Sequence, residues 1–115
     1  MAYKSFEELD VWKRSCRLAV EVSRAISDCK QYAIRDQMQR AAISIPSNIA
    51  EGQARHTTGE FVQFISHAEG SAAELDTQLI LSEEFKFCGA ARLHEMISEV
   101  PGMLNSLRRK LIARR

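Results

Sequence analysis

Apolar residues return at steps of three and four along almost the whole chain, in four separate runs, and this pattern limits what the chain can fold into. The first run carries two adjacent stripes: Leu9, Trp12, Cys16, Ala19, Ser23 and Ile26, and beside them Val11, Ser15, Leu18, Val22, Ala25 and Cys29. The second holds Ile34, Met38, Ala41, Ile45 and Ile49. The third holds Phe61, Phe64, Ile65, Ala68, Ala72, Leu75, Leu79 and Ser82, and the fourth Leu93, Ile97, Val100, Leu104, Leu107 and Leu111. No segment sustains the two-residue alternation of a half-buried strand. The spacing therefore predicts helices over about 6–29, 33–55, 58–87 and 90–112. Ser5 with Glu8 and Thr57 with Glu60 fit capping boxes at helix starts, and Gly89 is a natural stop. Short connections between four such helices give an all-α, antiparallel, up-down-up-down four-helix bundle occupying residues 1–115 as one domain.

Composition narrows the setting. Cys16, Cys29 and Cys88 are odd in number, far apart and without a CxxC pair, so no disulfide framework or zinc site is expected. The start has no apolar run after Lys4, and no stretch approaches the ~20 apolar residues of a membrane span. A reduced, cytoplasmic chain with no membrane partner is the expectation. Charge is unevenly spread: residues 1–55 sum to +2, residues 56–107 to −6, and residues 108–115 to +5. The last group comprises Arg108, Arg109, Lys110, Arg114 and Arg115. It reads equally as a phosphate-binding patch or as a solvated helix end.

Pro46 lies inside the second run. A proline there removes a donor and crowds the carbonyl of Ala42, which argues for a helix end. The apolar phase nevertheless survives it, because Ala41, Ile45 and Ile49 stay on one face. The expectation is one continuous helix kinked at Pro46, with the Ser44 and Ser47 hydroxyls near the freed carbonyls.

Polar residues also recur at helical spacing. Arg40, Ser44, Ser47, Asn48, Glu51 and Arg55 line one side of the second helix, and His67, Ser71, Glu74 and Gln78 line the third. If the stripes face each other they form a buried polar network, with Arg40 paired to Glu74, since buried charges persist only when paired. Gly70 would let the helices approach closely, and Gly52 lies on the same seam. A solvated face and a ligand site are the competing readings.

Enzymatic signals are thin. A carboxylate-bridged di-metal centre in a bundle needs Glu-x-x-His on two helices. The residues three before His56, His67 and His94 are Gln53, Phe64 and Ala91, so no metal is expected. No nucleophile stands beside a base, and no glycine-rich phosphate loop exists. No cofactor and no small-molecule substrate are indicated. The best enzymatic alternative is a hydrolase or nuclease built on Glu51, Glu74 and His67.

The stretches "SFEELDVW" at Ser5–Trp12, "QMQRAAISIPSNIAEGQAR" at Gln37–Arg55 and "EFVQFISHAEGSAAELDTQL" at Glu60–Leu79 resemble the four-helix-bundle family encoded by intervening sequences of 23S ribosomal RNA genes. The resemblance covers about Ser5 to Leu111. It implies a pentameric ring of bundles without an agreed catalytic role. It also implies kinship with the accessory variability proteins of diversity-generating retroelements, basic pentamers that contact nucleic acid and a reverse transcriptase. Lys30 to Ile34 departs from the family's first turn, Glu69 replaces a residue that is often basic, and Pro101 interrupts the fourth helix. The expected function is a non-enzymatic homo-oligomer serving as a scaffold for RNA or a nucleic-acid-processing protein. The remaining alternative is a passive product of a mobile insertion.

Overall fold

In the computed structural model the described residues are Phe6, 9–88 and 91–114, the side chain of Ala91 excepted. They form four α-helices and no strand: α1 (Asp10–Ala25), α2 (Tyr32–Gln53), α3 (Thr58–Glu84) and α4 (His94–Ala113), the last preceded by a 3₁₀ turn at Ala91–Leu93. The Ser5–Glu8 capping box and the Gly89 stop lie outside the described residues. Each helix packs against its neighbours in chain order, and α4 closes back on α1, giving a rod 45 × 19 × 18 Å.

Of the two stripes on α1, the one through Val11, Ser15, Leu18 and Val22 faces the core. Trp12, Cys16 and Ala19 of the other are half-buried on its flank, where Trp12 meets the Phe6 ring edge-on at 5.2 Å. Inside, Leu18, Ile45, Phe61, Leu75 and Leu104 are fully enclosed. The buried Ser15 hydroxyl is satisfied by donating to the Val11 carbonyl at 2.7 Å.

Helix α2 runs uninterrupted through Pro46, whose ring is buried, and α4 runs through Pro101 at its surface. Both prolines remove a helical donor, and packing on either side of them keeps the helices whole. At the start of α3 the Thr57 hydroxyl accepts from the Glu60 backbone N–H at 3.1 Å and donates to its carboxylate at 3.0 Å.

The close approach between α2 and α3 occurs at Gly52. A Cβ there would stand 2.6 Å from the Phe64 Cβ and 3.0 Å from a Phe61 ring carbon. Gly70, expected to serve this role, is exposed with nothing within 4 Å of a Cβ built on it. It lies in open space, so its lack of a side chain relieves no contact within the chain.

Cysteine pairing overturns the expectation from spacing. Cys29, between α1 and α2, is disulfide-bonded to Cys88, after α3, with Cα atoms 5.3 Å apart. The bundle brings these two connections to the same end, so residues 59 apart in sequence become neighbours.

Helix α3 ends before Gly89 by another device. The Phe87 N–H donates to the Ser82 carbonyl at 2.9 Å and the Lys86 N–H to Glu83 at 3.1 Å, a Schellman closure. Lys86 holds the left-handed position at φ 57° that glycine favours. A Lys86→Gly change should relieve this strain and raise stability by about 1 kcal/mol. A urea denaturation midpoint that falls instead of rising would contradict that assignment.

Candidate functional site

The polar stripes of α2 and α3 do meet. Ser44 and Ser71 approach with oxygens 2.8 Å apart, joining the helices across the seam. The Asn48 amide donates to the Ser44 carbonyl at 2.8 Å and to its hydroxyl oxygen at 2.9 Å. With that oxygen already accepting from Asn48, the Ser44 proton is free to be given to Ser71. All three side chains are half-buried, so the line lies flush with the surface.

The charged members of the stripes stand outside it. Arg40, Glu51, Arg55, His67 and Glu74 are all exposed. Among the described residues Arg40 and Glu74 form no ion pair, contrary to the expected buried pairing. They instead border an open groove of about 620 Å³ with Gln37, Ala73, Thr77 and Gln78. In a two-helix seam open to water, long charged side chains gain more from hydration than from a weak surface pair.

Glu51 pairs along its own helix with Arg55 at 2.8 Å. The Arg55 guanidinium lies 4.8 Å from the centre of the Phe64 ring, and His67 stacks on the same ring at 5.6 Å. Arg55, Phe64 and His67 thus form one surface cluster beyond Gly52. Glu74 lies two turns along α3 from His67, about 10 Å away along the axis. It accepts from the Gln78 amide at 3.3 Å. Glu51, His67 and Glu74 therefore do not converge on a common point.

Other polar groups stand beside the seam or join further helices. Gln78 is 6% exposed, and its carbonyl oxygen has no partner among the described residues. Asp76 pairs with His94 at 2.7 Å, joining α3 to the first turn of α4. Arg108, expected among the phosphate-binding residues, is bound to the Glu69 carboxylate and reaches Ser66 at 3.4 Å. Arg109, Lys110 and Arg114 are exposed, and Arg115 lies outside the described residues. Burial pushes the Cys16 thiol above its ordinary pKa, which makes it a poor nucleophile at neutral pH. Among the described residues no histidine, cysteine, aspartate and glutamate group is arranged to hold a metal, and no helix is long and apolar enough to cross a membrane.

The molecule is thus an all-helical, four-helix protein whose polar residues line helix seams. The family described as 23S rRNA-intervening sequence protein matches residues 7–108, and the chain belongs to it. A protein of unknown function from the S23 ribosomal protein family of Bacteroides thetaiotaomicron shares the fold, with a TM-score of 0.65 at 20% identity over 90% of this chain and 95% of that one. None of the curated proteins matches.

The hydroxyl pair across the seam should be energetically coupled. In a double-mutant cycle of Ser44→Ala and Ser71→Ala, the coupling expected is about 1 kcal/mol, read from chemical denaturation. Additive effects of the two changes would mean that the pair contributes nothing to holding α2 on α3.

Proposed function

We propose that the chain is a non-enzymatic homo-oligomer, a pentamer on the family likeness, that acts as a scaffold for RNA or a nucleic-acid-processing protein. The bundle in this reading is antiparallel throughout, with α2 bent at Pro46. Contacts of Gly52 with Phe61 and Phe64, and of Ser44 with Ser71, support opposed directions for α2 and α3.

The observation that carries the proposal is the α2–α3 face. Ser44, Ser47, Asn48, Gly70, Ser71 and Ala73 are small or flush with the surface, and Ile43 beside them is 51% exposed. A low surface of this kind, bordered by Arg40 and Glu74, which have no ion-pair partner among the described residues, suits coverage by another helix. A second copy can supply the missing partner for each charge, because one surface carries both signs. The scattering of Glu51, His67 and Glu74, and the raised pKa of the Cys16 thiol, support leaving catalysis out.

Charge reversal at Arg40 tests this reading. Light scattering should show an oligomer for the natural protein and a shift toward monomer for Arg40→Glu. The double change Arg40→Glu with Glu74→Arg should restore assembly. A natural protein that is monomeric at micromolar concentration would end the proposal. Assembly indifferent to both changes would take the interface off the α2–α3 face.

The RNA clause rests on the exposed Arg109, Lys110 and Arg114 at the end of α4. A cytoplasmic setting belongs to the same reading, and there thiols are kept reduced. The Cys29–Cys88 bond closes a long loop and contributes about 4 kcal/mol when formed. In the cytoplasm that contribution is forgone, and rapid alkylation of both cysteines is expected when cells are quenched with iodoacetamide. An oxidised pair in quenched cells would remove the cytoplasmic placement.

A further inference from the structure

Of the neighbouring helices, α1 and α4 touch least, and beside the Arg14–Glu99 pair that joins them the surface opens as a trough. Two hollows, about 590 and 390 Å³, adjoin along it and share Asp10 and Met103 in their walls. Lys13, Arg14 and Arg17 line the first, and Lys110 lines the second. Arg14 is engaged by Glu99 at 2.6 Å. Lys13, Arg17 and Lys110 are exposed and have no carboxylate partner among the described residues. Asp10 is the opposing charge. It occupies the first turn of α1, where the positive end of the helix dipole offsets it.

We propose that this trough binds the phosphodiester backbone of single-stranded RNA. The inference rests on the RNA clause of the proposed function and moves its centre from the tail to the seam of α1 and α4. The arrangement of charge favours a strand over a small anion. Lys13 and Arg17 follow each other one helical turn apart, and Lys110 stands on the opposite wall, so positive charge is drawn out along a line. A groove of this kind tracks one strand and releases its counterions as phosphates are neutralised. Met103, half-buried in the floor, offers an apolar surface for a base. Arg108 takes no part, because Glu69 already holds it.

The test is fluorescence anisotropy with a labelled, unstructured uridine oligonucleotide across a salt series. It is run on the natural protein, on Lys13→Gln/Arg17→Gln and on the tail variant Arg109→Gln/Arg114→Gln. All four side chains are exposed, and circular dichroism verifies that folding is intact. The trough variant should flatten the slope of log K against log salt by about 1.4, which is 0.7 for each phosphate no longer neutralised, and the tail variant should flatten it less. A slope flattened in the tail variant alone, or equally in both, overturns the trough and leaves the RNA clause standing. No binding by the natural protein at low salt removes both the trough and the RNA clause, leaving the oligomer untouched. Binding to anionic phosphatidylserine vesicles with the same sensitivity, but not to the oligonucleotide, would make the trough a membrane-binding surface and overturn the inference.

Discussion

The close approach of α2 to α3 is the constraint on which the rest of the structure depends. It is possible because Gly52 offers no Cβ where the Phe61 and Phe64 side chains lie across α2. With the helices this close, Phe61 is fully enclosed, and the hydroxyls of Ser44 and Ser71 come within a hydrogen bond of each other. The buried Pro46 sits between these two points of approach. Its missing donor and crowded carbonyl are tolerated because the apolar face of α2 is continuous on either side, and packing supplies most of a helix's stability.

That geometry sorts the surface into two kinds. Along α2 and α3, small side chains and a half-buried hydrogen-bonded line leave a low face with unpaired charges at its border. Between α1 and α4 the packing is slight, and a trough remains, edged with cations that have no carboxylate partner among the described residues. In the two proposals these faces take different occupants: one a helix that supplies the missing charges, the other a chain of negative charge. The −6 of residues 56–107 is no obstacle to the second, since the cations of the trough come from the start of α1 and the end of α4.

Much of this is legible residue by residue. The steps of three and four on each run mark the buried faces of α2, α3 and α4. On α1, though, spacing cannot rank two equally regular stripes. Thr57 and Glu60 announce a helix start, and the survival of the apolar phase past Pro46 announces an unbroken α2. Ser44, Asn48 and Ser71 are marked as one seam, and they are joined in the structure. Other expectations fail at identifiable points. Spacing pairs Arg40 with Glu74, yet each faces water across an open groove. It offers Gly70 for the close approach that belongs to Gly52. The stop of α3 belongs to Lys86, a residue whose identity does not advertise a left-handed backbone.

What the sequence by itself determined is the set of helices and the inward face of most of them, because both follow from repeats within a single segment. Which Cys meets which, which Arg is taken by Glu69, and where Lys13 and Lys110 come to border one trough were decided only by the tertiary structure. Those pairings depend on how far each rod slides and turns against its neighbour. Slide and turn are set by core packing summed over many side chains, and the spacing within any one helix carries no record of them.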